Sequence, residues 1–585
     1  MRQASAQATG TKAKWPAWRR AFTSPEALVI GCLLAAYILV WPVGHYAVDD
    51  EWAFLKSLQH LDVEGRVRIS QWNPMSLVGH LYWGTLFTGL GGFSFTAARL
   101  STVVMFAVLG VAVAGLLRHV GVSRRTTTLA LLALVFNPLC FFHGFLYMTD
   151  VPACAWTMLA ALLMVKGLDG SGRWRQWGLL AGSACGVCAF LMRQSGLLVH
   201  VALVAYLLLY DRRRLRSAAG LFAGFVLPGL AAAVFQYWYH YVHGPTIMYR
   251  EESRQLLASL RHPDPGELSL AVFQYGVYVG LFALPLLVAL PRSFWRQLTR
   301  GRLAGVAVAA ALSAGALVVL AGRQKLIFPY LPNKVTQFGF LSLNEVIVGD
   351  RPLLWGHTLS WVATLLLTLA LVGFVAVALL SSAAPSPRPA TAALRLLALL
   401  GAVQFLYLLA TFRIVFDRHL LMLLPTTLIL MSGWTRDYAM RWVAPGLVLA
   451  FLAGYSVAGT HDVYAFSRAA FTAGDSLIAR GVSPMSIDGG YAFDGWYTFE
   501  AWQQEKVPRA RPTDPWWVRA LMQGIDTRYL LSLSPTLDEQ AYLKSRRPWS
   551  ARTPPDIRDY QVVETVPYTA WWPPGRRGVY VLERR

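Results

Sequence analysis

Charge is what this sequence has least of. Asp, Glu, Lys and Arg make up only 14% of its 585 residues, while 55% are hydrophobic. Soluble domains carry about a quarter charged residues, so the composition excludes an ordinary soluble globular protein. Acidic residues are scarcer still, 31 against 53 Lys plus Arg. Cysteine is nearly absent: Cys32, Cys140, Cys154, Cys185 and Cys188 are the five, and all lie in apolar stretches. The hydrophilic C-terminal part therefore folds without disulfides. Cys185 and Cys188 spell C-x-x-C but have no other ligands nearby, and read as packed small hydrophobes rather than a metal or redox site. No internal repeat is visible.

What is present is a series of apolar runs at nearly even spacing as far as residue 459. Most approach the ~20 residues needed to cross a ~30 Å hydrocarbon layer. They predict spans at 25–46, 97–117, 126–143, 149–168, 177–193, 196–211, 217–242, 269–290, 303–321, 357–380, 393–412, 419–434 and 442–459. The first run has no small-residue cleavage site after it and reads as a retained span. The fifth and sixth, separated only by Arg193-Gln194-Ser195, read as a helical hairpin with a tight turn. The fold class expected is mainly α: a polytopic transmembrane helical bundle of about thirteen spans with a small C-terminal α/β domain.

The net charge of +22 reports topology rather than a nucleic-acid partner. With the N-terminal tail 1–24 assigned to the cytoplasm, alternate loops collect the cations: Arg118, Arg124 and Arg125; Lys166, Arg173 and Arg175; Arg212 to Arg214 with Arg216; Arg292, Arg296, Arg300 and Arg302; Arg388 and Arg395; Arg436 and Arg441. The other loops and the tail are close to balanced, as the positive-inside rule requires. The expectation is a multi-pass protein of the cell inner (plasma) membrane, with a transmembrane module at 25–459 and an extracytoplasmic domain at 460–585. Three extracytoplasmic loops, 47–96, 243–268 and 322–356, are too long for simple connectors and read as lids or binding segments. Within the first, the amphipathic run from Trp52 to Leu61 suits the interface plane.

In the tail, residues 463–480 have helical spacing. Short β-like runs follow at Met485–Ile487, Tyr529–Leu533, Tyr560–Val566 and Gly578–Leu582, bounded by turn residues. The pairs Trp516/Trp517 and Trp571/Trp572 read as core and interface, with a sugar-stacking surface the alternative.

Four short motifs carry chemistry, all assigned to one membrane face. Asp49-Asp50-Glu51 follows the first span, and carboxylates beside an apolar segment are expensive unless they face protein, water or a ligand. Met148-Thr149-Asp150 opens the fourth span, where the plain role of Asp150 is helix capping ahead of Pro152. Arg193-Gln194 and Asp417-Arg418-His419 place guanidinium groups at the same face, suited to gripping a phosphate bidentately. The plain alternative for either arginine is a lipid headgroup or a neighbouring carboxylate.

These motifs, in this order and on one side, resemble the GT-C superfamily of lipid-phosphate-dependent membrane glycosyltransferases. The nearer resemblance is to bacterial relatives of protein O-mannosyltransferases and lipid A aminoarabinose transferases. It rests on Asp50-Glu51, Met148-Thr149-Asp150, Arg193-Gln194 and Asp417-Arg418-His419, the last standing where the family has Asp-Arg-Tyr. The stretch Gly79 to Ala98 adds to it, resembling the end of the first large loop. Departures are a missing Lys- or His-Pro-Pro-Leu in the first loop, for which His80 is the stand-in, and the absence of Trp-Trp-Asp. No Asp-x-Asp occurs in the first loop. The last two absences point away from en bloc oligosaccharide transfer and from a metal.

The resemblance implies transfer of a single sugar, hexose or pentose, from a polyprenyl-phosphate donor to a lipid, glycan or protein acceptor, with inversion and no cofactor. Asp50 is then the base, Asp150 its partner and Glu51 secondary, with Asp49 set aside. Arg193, Gln194, Asp417, Arg418, His80 and Lys334 bind lipid phosphate or sugar. Two other classes compete: a transporter or lipid flippase, for which the one-sided charges and missing repeat are poor support, and a non-catalytic envelope assembly protein acting through its tail.

Overall fold

Apolar chain inside a bilayer must satisfy its own backbone, which favours helices throughout. The computed structural model describes residues 24–170, 172–323, 327–331, 333–341, 347–349, 351–381, 391–505, 528–536 and 560–585. Residues 1–23 of the N-terminal tail, Arg388 and Trp516/Trp517 lie outside them. Among the described residues eight helices are long and apolar enough to cross a membrane, or nine if the bent pair Arg124–Val135 and Pro138–Gly144 is one span. Two further apolar helices, Pro25–Val40 and Gln194–Tyr210, are shorter. Gly172–Met192 and Leu423–Trp434 complete a set with a helix at each expected position. Thirteen full-length crossings therefore do not all appear. The third is bent by 66° where Asn137 caps a new helix by accepting from the Leu139 and Cys140 N–H groups. The twelfth begins as a 3₁₀ turn at Asp417–Met422.

Sequence sets these starts locally. Ser24, Ser94 and Ser123 accept hydrogen bonds from Ala27, Ala97 and Thr126 at 3.1, 3.0 and 3.2 Å, caps worth about 1 kcal/mol each. Burial separates the helices into layers: 89% of the Pro265–Leu287 window and 78% of the Asp150–Asp169 window are buried, against 11% for Arg300–Gly322. The second of these packs tightly on Gly172–Met192, where a Cβ on Gly178 would lie 2.7 Å from the Gly167 Cα. Small residues allow such backbone contact between membrane helices.

The span expected at 442–459 and the helix expected at 463–480 form one helix, Val443–Ala479, of 37 residues. At 1.5 Å per residue it extends about 55 Å, well beyond a bilayer core, and its far half is the floor of the tail. Val463, Tyr464, Phe466, Phe471 and Leu477 are buried there. On it lie β3 (Ile487–Asp488), β4 (Tyr529–Ser532), β5 (Tyr560–Trp571) and β6 (Pro574–Arg584), following a two-stranded ribbon of β1 (Val335–Thr336) and β2 (Gly339–Phe340) in the third long loop. The four-stranded sheet has the order β3-β4-β6-β5, with β3 and β4 parallel and the other pairs antiparallel. Asp462 clamps the β5–β6 turn by accepting from the Trp571 and Trp572 N–H groups at 2.7 and 2.9 Å. Trp571 stacks on His461, yet both indoles of the turn stay exposed, so neither is core.

The first long loop folds into helices Glu51–Glu64 and Val78–Thr88. The amphipathic run expected in the interface plane is instead covered by the tail helix Tyr491–Glu505. Trp52 packs edge-on against Tyr491 and Phe499, and His60 bridges Glu64 and Glu500. Aromatic burial against protein has taken the place of lipid.

Candidate active site

Three consecutive carboxylates follow the first helix, and the backbone sends them apart. Asp49 adopts a left-handed conformation, φ 57°, tolerated by Asp more readily than by most residues. Glu51, the first residue of its helix, turns into the bundle. There its Oε1 and Oε2 meet Arg99 Nε and Nη2 at 2.9 and 2.6 Å, with both side chains fully buried. The same carboxylate accepts from the Tyr147 and Val48 N–H groups at 2.8 and 3.1 Å. Its acceptor capacity is spent. The secondary chemical role expected for Glu51 thus gives way to a clamp joining the first loop to the turn before Asp150. Arg99, which sequence reasoning missed, is its partner.

Asp50 stays at the rim of the bundle. Its Oδ2 accepts from Arg418 Nη1 at 2.5 Å, and its Oδ1 from Trp72 Nε1 at 3.0 Å and from the Tyr491 hydroxyl. Arg418 and these donors outweigh burial and hold its carboxyl well below the usual range. Asp49 ion-pairs with Lys334 and lies 3.9 Å from Arg418; burial and the adjacent Asp50 push its carboxyl upward. Asp49 is therefore part of the cluster rather than dispensable to it.

Among the described residues, Asp417 ion-pairs with no cation. It is wholly buried and accepts from the N–H groups of Lys334, Val335 and Arg418, the last two at 2.8 and 2.7 Å. Burial raises its carboxyl to about 6. It locks the loop that carries Lys334 against the turn that carries Arg418.

Asp150 meets Arg193 Nη1 at 2.7 Å, and among the described residues its second oxygen has no partner. The capping role expected for it is not seen: Asp150 is the first helical residue, and Thr149 before it makes no side-chain cap. Gln194 donates to the Pro74 carbonyl at 2.8 Å and so fixes the arginine turn to the first loop. His80 is buried, stacked on Tyr147 with ring centroids 4.1 Å apart, and neither ring nitrogen has a partner among the described residues. Burial drops its imidazole to about 3. His80 is neutral and brings no cation to the cluster; Lys334 does.

Glu252 belongs to the loop 243–268, expected as a lid or binding segment, in which no residue was assigned a chemical role. It sits on helix Ile247–Arg261 of the second long loop, which docks on the first through Thr246 Oγ1 donating to the Asn73 carbonyl at 2.7 Å. Glu252 is partly buried, near enough to feel Arg193, Arg418 and Asp50, and burial lifts it to about 7.

Asp150, Arg193, Arg418, His419 and Gln404 line one narrow recess. Asp49 and Tyr491 line a second. Arg418 of the first lies 3.9 Å from Asp49 of the second. The arrangement offers one ionised carboxylate at a rim, two arginines and a lysine to receive an anion, and an acidic group poised near neutrality. Among the described residues no three His, Cys, Asp or Glu side chains are grouped to hold a metal ion.

Residues 78–238 match the family model described as dolichyl-phosphate-mannose-protein mannosyltransferase. The match spans His80, Asp150, Arg193 and Gln194 and leaves Asp50, Lys334 and Arg418 outside. It supports a membrane glycosyltransferase of the GT-C superfamily. No curated protein matches the chain. Among solved structures, ArnT from Cupriavidus metallidurans bound to undecaprenyl phosphate aligns at 15% identity over 95% of this chain and 97% of that one, with a TM-score of 0.39. The same protein in its apo state aligns at 15% identity over 95% and 98%, also at 0.39. Superposition of that quality is too loose to establish a shared fold.

Proposed function

We propose that this protein transfers a single sugar from a polyprenyl-phosphate donor to an acceptor hydroxyl or amine at the extracytoplasmic face of the plasma membrane. The observation that carries the reading is the gathering of Asp50, Asp150, Arg193, Lys334 and Arg418 from five distant segments into a network of ion pairs beside two recesses. The family match over 78–238 supports the reaction class, since a polyprenyl tail anchors the reactive bond at the membrane surface. Loop charge supports the side.

In this reading Asp50 takes the acceptor proton as the acceptor oxygen or nitrogen attacks the anomeric carbon. The bond from that carbon to the phosphate oxygen breaks, and Arg418, Arg193 and Lys334 receive the charge on the departing phosphate. Phosphate leaves well enough to need no acid. The attack comes from the face opposite the leaving group, so the anomeric centre inverts. A donor phosphate that draws Arg418 toward itself also loosens it from Asp50. That raises the basicity of Asp50 when the donor is in place.

The test is transfer by the purified protein from a panel of polyprenyl-phosphate hexoses and pentoses, in excess chelator, with mass spectrometry of envelope glycans and lipids from cells with and without the gene. A new glycoside in vitro and a lost one in cells are expected. Identical envelopes together with no transfer from any donor would overturn the proposal; transfer restored only by Mg²⁺ or Mn²⁺ would overturn its metal-free form.

A further inference from the structure

Between the tail sheet and the membrane module lies a cleft that the chemistry above does not use. One wall is the β5–β6 hairpin, with Tyr568, Trp572, Arg576 and Arg577; the other is Arg351 with Phe466 of the long helix. Arg351 donates to the carbonyls of Leu341, Phe338 and Phe340 at 3.1, 3.1 and 2.8 Å. No carboxylate ion-pairs with it among the described residues. Arg577 donates to the Pro573 carbonyl at 2.7 Å, and Arg576 has no polar partner among the described residues. The single acidic lining residue, Asp462, already accepts from two backbone N–H groups. Among the described residues, three guanidinium groups thus line a space whose single carboxylate is already held by backbone N–H groups, beside an indole that is 46% exposed.

Phe466 also walls the recess of Asp49 and Tyr491, so one side chain borders both the cleft and the recess next to Asp50. A negatively charged ligand satisfies the arginines, and aromatic faces flanked by polar groups suit a sugar ring, which has apolar and hydroxylated surfaces. We propose that this cleft binds an acidic saccharide, a sugar bearing carboxylate or phosphate groups, as the part of the acceptor next to the hydroxyl or amine that is glycosylated. The ring lies against Trp572 and Tyr568, and its anionic substituents lie on Arg576 and Arg577. This deepens the acceptor half of the proposed function and rests on it.

Binding separates the two ideas, because it needs no turnover. Purified full-length protein in detergent is titrated with trigalacturonate, glucose 6-phosphate, inorganic phosphate and neutral maltotriose, and separately with polyprenyl phosphate. The acidic saccharides are expected to bind at least about tenfold tighter than maltotriose and than inorganic phosphate. Each of Arg576→Gln and Arg577→Gln weakens them by roughly tenfold, the range of a charge-assisted hydrogen bond. Trp572→Ala weakens both acidic saccharides, and all three variants bind polyprenyl phosphate as the wild type does. Equal binding of neutral and acidic sugars, binding of phosphate alone, no saccharide binding, or indifference to the arginine variants overturns the cleft assignment. Absent polyprenyl-phosphate binding with saccharide binding intact faults the glycosyltransferase reading instead.

Discussion

Replacing Asp50 by Asn is the most informative single change. The amide keeps the size of the carboxylate, and its oxygen can still accept from Trp72 Nε1 and the Tyr491 hydroxyl. Its NH₂ group, however, must then face Arg418 Nη1, where the carboxylate now accepts at 2.5 Å. Two of three contacts survive and one becomes donor against donor. Turnover loses its proton acceptor, an effect of about 10²–10⁴ in rate. Polyprenyl-phosphate affinity is expected to hold or tighten, since Arg418 no longer has a competing anion. Because Arg418 holds the Asp50 carboxyl low, the base is ionised throughout the neutral range, so wild-type activity has no acid limb from Asp50 near neutral pH. The assays are steady-state transfer, equilibrium donor binding and apparent Tm on the same preparation. Folded Asp50→Asn protein turning over at near wild-type rate refutes the reasoning. Glu51 cannot then be the substitute, being sealed by Arg99, and Asp150 or Glu252 must be.

Four further outcomes follow from the geometry. Arg418→Ala weakens donor binding and turnover together, and Arg418→Lys restores only part of either, because a point charge does not reproduce the planar fork; full rescue by Lys in a binding titration would contradict this. Glu51→Ala leaves Arg99 buried without its anion, a loss of about 3–5 kcal/mol, and should appear as lost folded protein in size-exclusion profiles rather than as a well-folded enzyme with slow turnover. Tyr491→Phe deletes one hydrogen bond to a charged group, expected to reduce turnover by about tenfold with little change in Tm; unchanged kinetics would remove the tail from the active site. Glu252 titrates at about 7 in the fold against 4.5 ordinarily, so the folded state holds the extra proton between those values. Its contribution is favourable at low pH and lost as pH rises through about 7: the Tm of wild type relative to Glu252→Gln should fall between pH 5 and 8, and a flat difference would refute the assignment.

Much of the fold was legible because hydrophobic runs of span length have few alternatives in a bilayer, and each expected span has a helix at its position. Length in sequence did not translate into length of crossing. Asn137-Pro138 bends the third segment, and the Asp417 turn replaces the first part of the twelfth with 3₁₀ structure. The reverse error occurred at the last span. Its apolar run ends near residue 459, but Thr460 to Ala479 continue the helix because protein, not lipid, covers Val463, Phe466 and Phe471. Hydropathy reports the solvent of a segment, and here the solvent changes along one helix from lipid to the protein of the tail.

The candidate site was legible as motifs and illegible as pairs. Asp417-Arg418 looked like two binding groups. Their peptide geometry instead sends Asp417 inward to hold the backbone at Lys334 and leaves Arg418 facing Asp50. Asp49-Asp50-Glu51 looked like three variants of one carboxylate, yet successive helical side chains diverge by about 100°, and the left-handed turn at Asp49 adds a further reorientation. The consequence is one carboxylate on Lys334, one on Arg418 and one buried on Arg99. Which of three acids meets which cation depends on residues 99, 334 and 418, none of which is near them in the chain. Tyr491 shows the same limit more sharply: a tyrosine in a soluble tail carries no mark of belonging to a membrane-embedded cluster until the helix after β3 is seen to dock on Trp52. Short motifs fix which residue types reach a membrane face, whereas tertiary packing decides which of them remain free to react.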